Sequence, residues 1–148
     1  MTPIRTLVLL AGAEDARLFV NEGVGKGLTE IVALSATQFP ETATEYADRP
    51  GRQSAAPGMG RHGLQPSTSV DDQQRDRFAD RVIEALEQEW PQAGADRLVI
   101  AAPPKMLGRL RARLKGAPKA ALMADIDKDL MHLAPQDLGP HLDGVLVV

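Results

Sequence analysis

The chain has 148 residues, a length that suits one domain with a single hydrophobic core, and we expect one domain over residues 1–148. Hydrophobic residues make up 43% of it and charged residues 25%, proportions typical of a globular protein and not of a disordered or membrane-embedded chain. The net charge is −3, so binding to nucleic acid or to an anionic membrane would have to come from a local patch. Cysteine is absent, which excludes disulfides and thiol chemistry.

The first apolar run predicts a buried strand and not an export signal. It extends from Thr6 to Ala11, has a single basic residue before it, and is followed by no small-residue cleavage site. No apolar stretch approaches the length needed to span a membrane. We therefore expect a cytoplasmic protein without a membrane partner.

Two further strands predict an antiparallel meander with the first. Arg17–Val20 and Leu28–Leu34 follow short turns, the second of which reads Gly-Val-Gly-Lys-Gly over residues 23–27. This turn resembles a fragment of a phosphate-binding loop, but it lacks a Ser or Thr after the lysine and leads into a strand. We interpret it as a hairpin turn.

Residues 35–70 contain few bulky aliphatic side chains and show no periodicity. A segment of this length inside a compact domain is usually functional or disordered, and we predict a long mobile loop. Ser69 and Asp72 have the spacing of a helix cap, so we expect a long helix to begin near Asp71. Its apolar stripe consists of residues that recur every four positions: Phe78, Val82, Leu86 and Trp90.

The second half of the chain alternates between strand and helix patterns. The strands are predicted at residues 96–102 and 120–124, and the helices at residues 104–114 and 134–142. The complete order, β-β-β-α-β-α-β-α, predicts an α/β fold with a mixed sheet of the ribonuclease-H-like type. This order indicates a fold and no particular activity.

The segment Asp48–Gln65 is the strongest candidate for a binding loop. Guanidinium groups and backbone N–H groups made accessible by glycine suit phosphate or carboxylate recognition. The alternative is a solvated loop whose arginines pair with the nearby Glu41, Glu45 and Asp48. The candidate binding residues are Arg49, Gly51, Arg52, Gly58, Gly60, Arg61 and His62.

The sequence offers weak grounds for a metal site, and we expect neither a metal nor another cofactor. Asp125, Asp127 and Asp129 alternate, but they lack the glycine and the terminal glutamate of a calcium loop. A ribonuclease-H-type metal site would also need an acidic residue in the middle of the first strand, where the sequence has Leu7–Ala11.

Two further segments carry polar candidates. The helix over residues 104–114 is basic but has no aromatic residue for base stacking, so we interpret it as an amphipathic helix covering the sheet, with phosphate contact as the alternative. Lys128, Asp129 and His132 are additional candidate site residues. We interpret His132 as structural or as a hydrogen-bond partner of the loop. The basic residues in and just after the helix are Lys105, Arg109, Arg111, Arg113 and Lys115.

A series of short motifs runs along nearly the whole chain. They are Ala16–Phe19, Asn21–Gly23, Lys26–Leu28, Asp48–Arg52, Gly60–His62, Phe78–Ala79, Leu98–Pro104 and Lys128–Leu133. In this order they resemble the bacterial family called "protein required for attachment to host cells". The resemblance implies a more distant relation to the middle domain of archaeal and eukaryotic class 1 peptide-release factors. That domain is ribonuclease-H-like and carries a Gly-Gly-Gln tip in the loop before its long helix.

The corresponding loop here reads Pro-Gly-Arg-Gln-Ser over residues 50–54. Gln53 matches the glutamine of the tip, but Arg52 stands where the second glycine would be. A bulky residue does not easily adopt the backbone geometry that glycine allows, which argues against release-type hydrolysis. We therefore assign no catalytic residue, and Gln53 and His62 remain weak candidates.

The resemblance implies a non-catalytic module that binds RNA or the translation machinery through its Arg/Gly loop and affects host attachment indirectly. One alternative is a hydrolase of the release-factor type, acting on peptidyl-tRNA or another ester. A second alternative is a direct adhesion factor at the cell surface. An enzyme is the less favoured reading because no nucleophile, base and orienting group stand out together. The oligomeric state is open, a homodimer included.

Overall fold

A computed structural model describes residues 4–39, 60–142, 144–146 and 148, and for residues 60–69 it describes the backbone alone. Within the described residues, five strands form one sheet in the order β3-β2-β1-β4-β5. The strands are β1 (Thr6–Ala11), β2 (Asp15–Asn21), β3 (Thr29–Ser35), β4 (Arg97–Ala102) and β5 (Leu122–Asp127).

The helices follow the strands in the predicted alternation, with one short addition. Two 3-10 turns lie at Ala36–Gln38 and Pro135–Asp137. The helices are α1 (Gly60–Ala93), α2 (Pro104–Arg113), α3 (Gly116–Ala120) and α4 (Gly139–Leu142).

The sheet is mixed. β2 pairs antiparallel with both β1 and β3, whereas β4 pairs parallel with both β1 and β5. The predicted meander and the predicted α/β fold are therefore confirmed. β1 lies at the centre and is buried throughout, which explains why its sequence is apolar on both faces.

The two faces of the sheet are covered by different elements. On one face, the stripe predicted for the long helix packs against Leu7, Leu9, Leu98 and Ile100, together with the apolar side of α2. On the other face, the segment after β5 contributes Leu130, Leu138, Leu142 and Leu146 to a second cluster around Val8, Leu10, Phe19 and Val99. The stripe residues Phe78, Val82, Leu86 and Trp90 are all buried, as predicted.

The hairpin between β2 and β3 is closed by Asn21, whose side chain is buried. Its Nδ2 donates to the carbonyl oxygens of Gly23 at 3.0 Å and Gly27 at 2.8 Å, and its Oδ1 accepts from the Gly23 amide at 3.2 Å. Gly25 and Gly27 have φ angles of 81° and 72°, a region that favours glycine. Residues 23–27 therefore form the predicted hairpin turn.

Several predicted boundaries are wrong. α1 begins at Gly60 and not near Asp71, so Ser69 and Asp72 lie inside the helix and do not cap it. Within the segment 35–70 that was predicted to be a long loop, residues 60–70 are helical and residues 36–38 form a 3-10 turn, while residues 40–59 lie outside the described residues. Helix extends readily from a packed segment, so these turns need no apolar periodicity of their own.

The C-terminal third also departs from prediction in its details. The helix α3 was not predicted, and β5 begins at Leu122, two residues after the predicted start at Ala120. The helix predicted over residues 134–142 is divided into a 3-10 turn and α4, with Pro140 in the second part. Proline has no N–H to donate, which weakens a continuous helix at this point.

Candidate functional site at the carboxyl end of the sheet

Four of the five strands end on the same side of the sheet. β1, β4 and β5 are parallel, and β3 runs with them because β2 is antiparallel to both of its neighbours. In α/β sheets this carboxyl end is where binding and catalytic loops commonly gather. Here it carries the β1–β2 turn, the 3-10 turn after β3, the start of α2 and residues 128–133 after β5.

Most of the predicted binding loop lies outside the described residues. This applies to Arg49, Gly51, Arg52, Gln53 and Gly58. Gly60, Arg61 and His62 form the first turn of α1, where the structure describes the backbone and not the side chains. The described chain enters this region from the end of β3, where the Ala36 amide donates to the Glu14 carbonyl oxygen at 2.8 Å. The assignment of these residues to a binding site stays a prediction.

The other candidate segment, residues 128–133, is described. The side chains of Lys128, Asp129 and His132 are exposed, and Oδ1 of Asp129 accepts a hydrogen bond from the Met131 amide at 3.1 Å. This short-range bond shapes the turn after β5, as is common for aspartate. Asp129 therefore has a local structural role, and the side chains of Lys128 and His132 face solvent.

Arg17 on β2 fixes the same segment to the sheet. Its Nη1 donates to the carbonyl oxygens of Met131 at 3.1 Å and Leu133 at 2.8 Å. The other side of its guanidinium pairs with Glu30 on β3 at 2.8 Å, and the group lies 4.8 Å from the ring centre of Phe19. Two motifs that are distant in sequence, Ala16–Phe19 and Lys128–Leu133, thus form one unit.

The structural role of Arg17 was not predicted from the sequence, in which Arg17 was noted only as part of the motif Ala16–Phe19. Its side chain is 18% exposed although it carries a full charge. The one available signal was an arginine inside a strand with apolar neighbours on both sides. Such a residue usually has partners, but these partners come from β3 and from the segment after β5.

Acidic side chains gather at the β1–β2 turn. Burial raises the pKa of the Asp15 carboxyl above its usual value, the charges of Asp129 and Glu14 raise it further, and Arg17 partly offsets them. Among the residues that the structure describes, no group of three or more acidic or histidine side chains is arranged to hold a metal ion. The local charge disfavours an anion at this turn.

Gly12 allows the same turn to close. A Cβ atom placed on Gly12 would lie 2.8 Å from Asp15 Oδ1 and 3.6 Å from Met131 Cγ. The Gly12 amide also donates to the Asp15 carbonyl oxygen at 2.8 Å. A larger residue here would displace the Asp15 side chain or the segment after β5.

The basic residues of α2 are largely occupied by acidic partners. Arg109 pairs with Asp72 and Asp76, Arg113 pairs with Asp76 and Asp80, and Arg111 pairs with Asp125. The opposite side of the helix is apolar, with Met106, Leu107 and Leu110 buried. This arrangement supports the interpretation of α2 as a helix that covers the sheet, and its arginines are poorly placed to meet a phosphate.

Among the described residues, no helix combines the length and the apolar character needed to cross a membrane.

Comparison with solved structures finds a similar fold in an archaeal protein. The chain is similar to an archaeal translation termination factor, aRF1, with a TM-score of 0.52 and 14% sequence identity. The similarity covers 82% of this chain and 29% of the archaeal factor, so the chain spans less than a third of that protein. At this identity the likeness concerns the fold alone.

Comparison of sequences gives the family. No curated protein matches the chain. A family model matches residues 5–142, which include all the strands and helices of the described residues, β1 to β5 and α1 to α4. It describes proteins related to release factors, in agreement with the relation that the motifs implied. The chain belongs to bacterial archaeo-eukaryotic release factor family 12.

Proposed function

We propose that the chain is a non-catalytic binding module that engages RNA or the ribosome through residues 48–65, and that it affects host attachment only indirectly. The observation that carries this proposal is membership of a release-factor-related family. The strand before this segment ends at the carboxyl end of the sheet, where sites in α/β folds commonly lie. The name of the host-attachment family reports a phenotype and supplies no mechanism.

The charges of the described residues support the choice of residues 48–65. The arginines of α2 are paired with carboxylates, and the turn at Glu14 and Asp15 is acidic. A phosphate backbone would therefore be met by Arg49, Arg52 and Arg61, whose guanidinium groups can each donate two parallel hydrogen bonds.

The experiment is co-sedimentation of the purified chain with ribosomes at low and high salt. The test variant replaces Arg49, Arg52 and Arg61 with alanine, and the control replaces Arg111, Lys115 and Lys119 with alanine, which removes the same charge from α2, α3 and the segment between them. We expect association to weaken in the test variant alone. We also expect a weaker salt dependence, by about 0.7–0.9 in the log–log slope for each phosphate that is no longer neutralised.

Two results would contradict the proposal. One is the absence of wild-type association with ribosomes or with total RNA at low salt. The other is an equal loss in both variants, which would indicate a non-specific charge effect. Circular dichroism of each variant establishes that the fold is retained before sedimentation is compared.

The alternative of a hydrolase is tested separately. Family membership also makes peptidyl-tRNA a conceivable substrate, with Gln53 as the residue that would orient water, but Arg52 replaces the neighbouring glycine. We expect no peptidyl-tRNA turnover by the wild-type chain above the buffer rate. Turnover that disappears in Gln53→Ala would make the module an enzyme, and the non-catalytic part of the proposal would then be wrong.

A further inference from the structure

Acidic residues on α1 and arginines on α2 have the same spacing. Asp72, Asp76 and Asp80 recur every four residues, as do Arg109 and Arg113. Residues four apart lie on one face of a helix, so the two helices present a row of acids to a row of arginines. We call these five residues the ion-pair ladder.

The contacts within the ladder alternate between the two helices. Arg109 Nε lies 2.8 Å from Asp76 Oδ1, and its Nη2 lies 3.0 Å from Asp72 Oδ1. Arg113 Nε lies 2.6 Å from Asp80 Oδ1, and its Nη2 lies 3.4 Å from Asp76 Oδ1. Arg113 Nη1 also donates to the Arg109 carbonyl oxygen at 3.0 Å, which orients its guanidinium. A network of this kind is worth more than the same number of isolated surface pairs.

The ladder joins a fixed helix to a less buried part of α1. α2 is held on the sheet by Met106, Leu107 and Leu110. Among the side chains of α1 that the structure describes, from residue 70 onward, the first buried one is Phe78, and none of those of residues 70–77 is buried. Asp72 and Asp76 thus bind α2 in a stretch of α1 that lacks a core contact from a buried side chain.

We propose that Arg109 and Arg113 are positioning residues that fix the N-terminal part of α1 against α2. Arg109 is central because its side chain is 14% exposed and binds two carboxylates. Its removal would leave Asp72 without its partner in the ladder and Asp76 with only the longer contact to Arg113. The ladder thereby restricts the orientation of the N-terminal part of α1 relative to α2.

The inference deepens the proposed function and rests on it for its biological meaning. α1 starts at Gly60, about three helical turns before Asp72, and residues 48–65 include that start. A helix end held in one orientation reduces the conformational freedom that is lost when a preceding segment binds a partner. The ladder would then act on affinity without touching the ligand.

The test is hydrogen–deuterium exchange of the full chain, followed by mass spectrometry of peptides. The variants are Arg109→Gln and Asp76→Asn, and the control is Arg111→Gln, which alters an arginine of α2 that pairs with Asp125 instead of α1. We expect amides of residues 70–77 to exchange about three to ten times faster in the test variants. Peptides over residues 78–90 and the Arg111→Gln protein should match the wild type.

The double variant Asp76→Asn/Arg109→Gln tests whether the two residues act through each other. We expect the acceleration of exchange in the double variant, relative to the wild type, to be smaller than the product of the accelerations in the two single variants. Unchanged exchange over residues 70–77 in both single variants would overturn the inference, as would an equal effect in Arg111→Gln. If Arg109→Gln does not fold, Asp76→Asn still tests whether the ladder fixes residues 70–77, because this variant leaves the pairs Arg109–Asp72 and Arg113–Asp80 in place.

Ribosome co-sedimentation of the same proteins separates this inference from the proposed function. Faster exchange together with weaker association supports both. Faster exchange with unchanged association supports the positioning of α1 and contradicts its contribution to binding. If the wild-type chain does not associate at all, the proposed function fails, and the exchange result still decides whether the ladder fixes α1.

Discussion

Arg17 and Leu133 are joined by a 2.8 Å hydrogen bond from the guanidinium Nη1 to the main-chain carbonyl oxygen, although the residues lie 116 positions apart. The same nitrogen also donates to Met131. Because Arg17 is also paired with Glu30, one side chain connects β2, β3 and the segment after β5. The position of the exposed Lys128 and His132 at the carboxyl end of the sheet therefore depends on a residue of the second strand.

We expect Arg17→Met to destabilise the protein by about 2–4 kcal/mol, because two carbonyl oxygens and Glu30 would lose a charged partner in a half-buried place. Methionine keeps the aliphatic length of the side chain. Urea unfolding gives the change in free energy. Arg111→Met is the control, since that arginine is 58% exposed and should contribute less than about 1 kcal/mol. Equal losses in the two variants would contradict the role assigned to Arg17.

We expect Asn21→Ala to cost about 2–3 kcal/mol, because it removes three hydrogen bonds and leaves backbone groups of the hairpin without their partner. Asn21→Asp keeps the acceptor for the Gly23 amide but loses both donated bonds, and it should also be destabilising. Thermal unfolding of the variants measures the effect. An alanine variant as stable as the wild type would mean that the hairpin closes without this side chain.

The stability of the protein should depend on the ionisation of Asp15. Its pKa is raised above the usual 3.8, first by burial and then by Asp129 and Glu14, so the charged form is disfavoured in the folded state. Ionisation of Asp15 therefore lowers the free energy of unfolding. This loss of stability is complete above the raised pKa, becomes smaller as the pH falls towards 3.8, and disappears below pH 3.8. Asp15→Asn should therefore be more stable than the wild type at neutral pH.

Urea unfolding at neutral pH and again below pH 3.8 checks this expectation. The advantage of Asp15→Asn should be measurable in the first condition and absent in the second. A variant that is less stable than the wild type at neutral pH would indicate that the carboxylate makes a favourable contact there.

Gly12→Ala should destabilise the protein by about 1–3 kcal/mol, because its Cβ would approach Asp15 Oδ1 to 2.8 Å. The cost should be smaller when Asp15 is alanine, since the closest atom is then absent. A double-mutant cycle on these two residues measures their coupling, expected at about 0.5–1 kcal/mol or more. Additive effects would show that the loss of stability in Gly12→Ala comes from the backbone at Gly12 and not from the contact with Asp15.

The parts of the fold that depend on local pattern could be predicted from the sequence. The apolar run of β1 and the four-residue spacing from Phe78 to Trp90 gave the central strand and the face of the long helix correctly. The start of α1 was predicted incorrectly because residues 60–69 carry no apolar stripe, while Ser69 and Asp72 imitate a helix cap. Local signals of this kind compete with tertiary contacts and can lose to them.

The contacts that define the described part of the candidate site could not be predicted. The partners of Arg17 come from β3 and from the segment after β5, and the partners of Arg109 lie more than thirty residues away on α1. A charge pattern shows that arginines and acids are present, but their pairing depends on which helix faces which. The basic character of α2 therefore suggested phosphate contact as readily as it suggested ion pairs.

The regular spacing of the ladder has one more consequence. If α1 slid by one full turn along α2, Arg109 would face Asp76 and Asp80, and Arg113 would face Asp80 and Glu84, so each arginine would again have acidic partners. The charges therefore align the two helix axes without choosing between positions one turn apart. A slide of one turn would also move Phe78 and Val82 out of their close-packed places in the core, so the position along the axis depends on core packing and not on the charges.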